Sequence, residues 1–151
     1  MIKEEAIVQG LKDTFGFSDE TVIIKRARRI TADVTIHEYR EVIAYLKNEM
    51  NFTMLCTITG LDLTDTFQAI YHVGNDEGVI VDVKLTIQKQ KPVIDTITDI
   101  YEGTALYERE LIDMFGIQVK GLPEGNRYPL PDGWPVNDHP LRKDWKSVAK
   151  A

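Results

Sequence analysis

The stretch Thr66-Phe67-Gln68-Ala69-Ile70-Tyr71-His72-Val73-Gly74-Asn75-Asp76-Glu77-Gly78-Val79-Ile80-Val81-Asp82-Val83-Lys84-Leu85-Thr86-Ile87-Gln88 decides how the chain folds. Its second half places Val79, Val81, Val83, Leu85 and Ile87 at every other position, with mainly polar residues between them. Successive side chains of an extended strand point to opposite faces, so this pattern predicts a strand with one face on a core and the other nearer water. The first half is rich in aromatic and β-branched residues, and Gly74 to Gly78 is turn chemistry, which together predict an antiparallel hairpin. Just upstream, residues 52–59 read as a third strand, ended by Gly60.

Working outward, residues 4–15 carry Ile7, Leu11 and Phe15 at helical spacing, with Gly16 as a stop signal. Residues 21–31 are rich in Val, Ile and Thr and read as one strand, continuing or turning back near Ala32-Asp33. The basic run Lys25-Arg26-Ala27-Arg28-Arg29 then lies along a solvated strand face. Thr35-Ile36-His37-Glu38 has the form of a capping box, with Val34 and Tyr39 as its hydrophobic staple. The helix it opens presents Tyr39, Val42, Ile43, Leu46 and Met50 on one face. A further helix is expected over 104–115, with Gly116 just past its end. Helices and adjacent antiparallel strands predict an α+β class: a two-layer sandwich of helices on a mixed, largely antiparallel sheet. From Ile117 onward periodicity disappears, and Pro123, Pro129, Pro131, Pro135 and Pro140 follow. Yet Tyr128, Trp134 and Trp145 are too apolar for a solvated linker. We therefore expect an α+β core domain over 1–116 and an extended, proline-rich, partner-binding arm over 117–151.

Composition excludes several functions. The chain has 151 residues, 43% hydrophobic and 28% charged, which suits one globular domain. Its net charge of -6, with acids spread along the chain, argues against a nucleic-acid partner. With Cys56 as the single cysteine there is no intrachain disulfide, and an iron-sulfur cluster needs about four thiolates. The apolar run Met54-Leu55-Cys56-Thr57-Ile58 reads as a strand that buries this thiol. His37, His72 and His139 are scattered without zinc-ligand spacing, and no phosphate-cradling glycine motif is present. No apolar stretch approaches the roughly 18 to 20 residues that span a bilayer. Met1-Ile2-Lys3-Glu4-Glu5 lacks the apolar region of a signal peptide. Membrane association is therefore expected only through partners.

The segment Tyr107-Glu108-Arg109-Glu110-Leu111-Ile112-Asp113-Met114-Phe115-Gly116 breaks local rules. At 100° per residue, Ala105, Leu111, Ile112 and Phe115 fall within about 60° of Glu108, placing that carboxylate in the apolar stripe. It is expected to be buried and met by a cation or by several donors. Arg109, Glu110 and Asp113 project from the opposite side, with Arg109 and Asp113 spaced i, i+4. Asp113 also sits in the last turn, where the helix dipole disfavours an anion. A general acid-base pair of Glu108 with Glu110 or Asp113 would make the chain a stand-alone α+β enzyme. Against it, Glu108 and Glu110 point about 160° apart. A free-standing regulatory binding module is the remaining alternative.

At this helix the sequence resembles the thirty-kilodalton-subunit family of respiratory complex I, which also has members in energy-converting hydrogenases. The family run E-R-E-x-x-D-x-x-G-I stands here as Glu108-Arg109-Glu110-Leu111-Ile112-Asp113-Met114-Phe115-Gly116-Ile117. A second signature, H-P-L-R-K-D and an aromatic, stands as His139-Pro140-Leu141-Arg142-Lys143-Asp144-Trp145. Weaker similarity runs through 39–46, 58–62, 70–72 and 96–100. Tyr107 departs from the family's aromatic-proline approach, and residues 121–130 depart from the basic pattern of the respiratory members. These departures lean toward a compact, hydrogenase-type complex. The resemblance implies a non-catalytic subunit with no catalytic, cofactor-binding or metal residues of its own. It implies iron-sulfur clusters and a quinone or nickel-iron site in partner subunits. The partners would be a large redox subunit and a neighbouring iron-sulfur subunit, at the cytoplasmic face of a membrane-bound complex. Both signatures are then expected at the partner interface, with Trp134 and Trp145 as apolar anchors and Arg142 and Lys143 supplying charge pairing.

Overall fold

In the computed structural model, which describes residues 3–147, helix α1 (Lys3–Phe15) buries Ile7, Val8 and Leu11 and ends where Gly16 turns left-handed at φ 70°. The stretch expected as one strand is instead a hairpin. Strand β1 (Val22–Arg26) turns at Ala27-Arg28 onto antiparallel β2 (Arg29–Val34), setting Val22 opposite Ala32 and Ile24 opposite Ile30. Arg28 takes φ 61°, a conformation more usual for glycine or asparagine, and its backbone N–H donates to the Glu4 carboxylate at 2.6 Å. The basic run therefore forms a turn and its flanks rather than a strand face.

Helix α2 (Tyr39–Met50) follows, burying Tyr39, Val42, Ile43 and Leu46. The Glu38 half of the expected capping box is present, its Oε1 accepting the Thr35 N–H at 2.9 Å. Three long strands come next: β3 (Met54–Asp62), β4 (Thr66–Gly74) and β5 (Ile80–Gln88). Val79, Val81, Val83, Leu85 and Ile87 are all buried, as their alternation requires. The five-stranded sheet has the order β1-β2-β5-β4-β3, with β2 parallel to β5 and Val34 beside Leu85.

Two expectations about β3 are corrected. The strand runs through Gly60, which is there for close packing: a Cβ would collide with the Phe115 ring. Cys56 is exposed because its apolar run forms the outermost strand of the sheet rather than a central one.

A short strand β6 (Val93–Asp95) leads through a 3-10 turn (Glu102–Thr104) into helix α3 (Ala105–Phe115). Strand β7 (Gln118–Lys120) then pairs parallel with β6, so regular structure extends just past Ile117. The three α-helices and the mixed, largely antiparallel sheet among the described residues make the expected α+β fold. The chain forms two compact units: one holds the residues up to Thr59 together with Ala69–Thr86, the other Gly60–Gln68 and the residues from Ile87 on. Among the described residues no helix is long and apolar enough to cross a membrane.

Candidate functional site

Glu108 is buried at 1% exposure, as the phase of α3 implies. Its Oε1 accepts the Thr96 hydroxyl at 2.8 Å and the Ile97 backbone N–H at 3.2 Å. The carboxylate thus ties the segment before the 3-10 turn to the signature helix. Two donors meet one of its oxygens, where the sequence allowed either a cation or several donors.

Asp113, expected on the side of α3 opposite the apolar stripe, is also buried, at 5% exposure. Its carboxylate pairs with the Arg127 guanidinium at 3.4 Å and accepts the Leu130 backbone N–H at 3.1 Å. Arg127 Nη1 also donates to the Trp134 carbonyl at 2.7 Å. Arg109 turns elsewhere, donating to the Pro123 carbonyl at 3.1 Å and lying against Gly125, where a Cβ would collide with its guanidinium. Glu110 is half-buried. The charges of the signature therefore reach forward along the chain rather than to one another. Glu108 and Asp113 are thus both buried and bonded to backbone donors.

The second signature caps this helix. The last carbonyls of an α-helix lack intrahelical partners and carry partial negative charge, so donors and cations are stabilising there. His139 Nδ1–H donates to the Asp113 carbonyl at 2.8 Å, which places the proton on that nitrogen. The Leu141 N–H donates to the Met114 carbonyl at 3.1 Å, and Arg142 Nε to the Phe115 carbonyl at 2.6 Å. Gly116, at φ 74°, leaves the space in which the His139 ring and the Arg142 guanidinium lie.

Sequence reasoning missed Asp62, an isolated acid at a strand end that reads as surface. It is buried, and its carboxylate takes Lys89 Nζ at 2.6 Å and the backbone N–H groups of Lys143 and Thr64, each at 2.9 Å. Lys143 Nζ reaches the Thr64 hydroxyl at 3.2 Å. Beside them, Lys89 and Arg142 lie 5.0 and 5.1 Å from the centre of the Phe67 ring. Burial works to raise the Asp62 pKa, but the Lys89 bond and the two backbone donors outweigh it, and the value falls from 3.8 to about 2. A carboxylate held below its unfolded value contributes stability above that value and loses it as pH falls through the folded one. The thermal midpoint is therefore expected to drop more steeply in the parent than in Asp62→Asn between pH 3.8 and about 2. Parallel curves for the two proteins would show that Asp62 is not the acid-sensitive tie.

The remaining candidates sit within the segment itself. Trp134 and Trp145 are half-buried, and both indole N–H groups donate to Asp138, to its carbonyl at 2.8 Å and to its carboxylate respectively. Pro140 is half-buried, whereas Leu141 at 53% exposure, Lys143 and Asp144 face outward. The segment expected as an arm is thus tied to α3 and to residues 62–64 of its own unit.

The model of the respiratory-chain NADH dehydrogenase 30 Kd subunit family matches residues 32–151. A subunit of the F(420)H(2) dehydrogenase of Methanosarcina mazei is 32% identical over 143 residues, covering 93% of this chain and 90% of that protein. The membrane-bound hydrogenase subunit beta of Pyrococcus furiosus is 26% identical, over 98% of this chain and 89% of its own. A chain in the structure of the membrane-bound sulfane sulfur reductase, an archaeal respiratory membrane complex, matches with a TM-score of 0.86 at 26% identity, over 98% of this chain and 88% of that one. Of two NADH-quinone oxidoreductase relatives the chain spans 22% and 51% of the length. Both signatures lie inside the matched span, and the chain belongs to the respiratory-chain NADH dehydrogenase 30 Kd subunit family, whose relatives here are subunits of complex I-like oxidoreductases.

Proposed function

We propose that the chain is a cofactor-free subunit in the peripheral arm of a membrane-bound, complex I-like oxidoreductase, where it docks on and stabilises the large catalytic subunit. The observation that carries this reading is the use made of the signature. Glu108 bonds to residues 96 and 97, while Asp113 and Arg109 bond to residues 123–130 and so tie that segment to α3. Iron-sulfur clusters and the quinone or nickel-iron site belong, in this proposal, to the large subunit and a neighbouring iron-sulfur subunit. The complex holds the chain at the cytoplasmic face of the membrane. Between branches we favour the energy-converting hydrogenases. The chain matches the hydrogenase subunit beta of Pyrococcus furiosus along 89% of that protein.

The test is to tag the full-length chain in its own cell, extract membranes with detergent and identify what co-purifies. A nickel-iron large subunit with hydrogenase activity is the expected result. Co-purification with an NADH-oxidising, nickel-free complex would move the chain to the other branch. A tagged chain that purifies alone and turns over a substrate would overturn the docking reading.

A further inference from the structure

Three of the four charged side chains in the signature are engaged within the chain: Glu108 with Thr96 and Ile97, Arg109 with Pro123, and Asp113 with Arg127 and Leu130. Glu110 is the exception. It is half-buried, and its carboxylate makes no ion pair or hydrogen bond among the described residues. Among the described residues of this unit, none pairs with an acid at this position.

Its neighbours along the helix sharpen the point. Residues four apart on an α-helix lie one above the other, so Leu106, Glu110 and Met114 form one stripe along α3. Leu106 is 51% exposed and Met114 half-buried. The stripe is apolar, then acidic, then apolar. A purely solvated helix face would be polar throughout, and a core face would not carry the acid.

We infer that the Leu106-Glu110-Met114 stripe of α3 is a docking contact for a partner subunit that presents an apolar surface with an arginine opposite Glu110. This rests on the subunit role proposed above and names the contact that role would use. An apolar surface alone would leave the carboxylate stranded, and a cation alone would leave Leu106 in water. Arginine fits best because its planar fork meets a carboxylate with two parallel bonds and its stem is apolar enough to lie along Leu106 and Met114. A second copy of this chain fits poorly, since facing stripes across a two-fold axis would oppose Glu110 to its own like charge.

The experiment uses the tagged full-length chain, co-purified from detergent-extracted membranes, with its occupancy measured against the large subunit. Glu110→Lys and Leu106→Asp are each expected to lower occupancy roughly tenfold or more, and Glu110→Gln to lower it less. Charge reversal at the exposed Glu41 of α2 should leave occupancy unchanged. Thermal unfolding of the purified Glu110→Lys chain should match the parent, because Glu110 holds nothing within the fold. A photo-crosslinking residue at position 106 should join a partner peptide that contains an arginine. Normal occupancy of Glu110→Lys in a complex that does co-purify overturns this contact and leaves the docking reading intact. So does a crosslink to a second copy of the chain. Failure of the parent chain itself to co-purify with any oxidoreductase subunit overturns the docking reading first.

Discussion

Asp113→Ala is expected to destabilise the unit that contains α3 by about 2 to 4 kcal/mol, enough to free residues 121–137 to proteases. Removing one member of a buried ion pair costs about 3 to 5 kcal/mol when the other charge is left stranded. The lower figure applies because Arg127 keeps 21% of its side chain in water and retains its bond to the Trp134 carbonyl. The Leu130 N–H loses its acceptor as well. Asp113→Asn preserves the shape and one acceptor oxygen, so its cost should be about half as large. Denaturant unfolding and the cleavage pattern after brief trypsin exposure measure both effects. An Asp113→Ala protein with the parent's midpoint and fragments would show that the segment is held by other means.

Gly116→Ala is expected to cost about 3 kcal/mol, although it adds only a methyl group. An L-residue at φ 74° is worse than glycine by about 1 to 2 kcal/mol. The new Cβ would also stand 2.6 Å from His139 Nε2 and 2.8 Å from Arg142 Nη2, so both side chains must withdraw. Each then lengthens a bond to an α3 carbonyl, worth about 1 kcal/mol apiece. Gly103→Ala is the matched control, since a Cβ there meets nothing within 4 Å, and its effect should stay within about 0.5 kcal/mol. Equal midpoints for the two variants would mean that His139 and Arg142 do not cap the helix.

The fold was readable wherever one periodicity governed a whole element. The alternation of Val79 to Ile87 and the helical phase of Tyr39 to Leu46 each specify one buried face, and the same argument located Glu108 inside. Reading failed where a local signal was absent or belonged to a distant residue. The β1-β2 turn uses Arg28 at positive φ without glycine or asparagine, so nothing in the composition marks it. The burial of Asp113 is not readable from its own helix because its partners, Arg127 and Leu130, come from a stretch without periodicity. Asp62 pairs with the Lys143 N–H 81 positions away, a distance no spacing rule covers. The two signature motifs were visible as strings, but their relation as helix and cap was not.

The course of the polypeptide between the two units sets a limit on modular inheritance. The backbone passes from one to the other after Thr59, returns after Gln68 and passes again after Thr86. Neither unit is a continuous run of codons, so no single deletion, fusion breakpoint or exon-like shuffle can remove one and spare the other. A nick between Thr59 and Gly60 would sever residues 1–59 yet leave the rest of that unit, Ala69–Thr86, joined to the other. A fusion at either terminus therefore carries both units together.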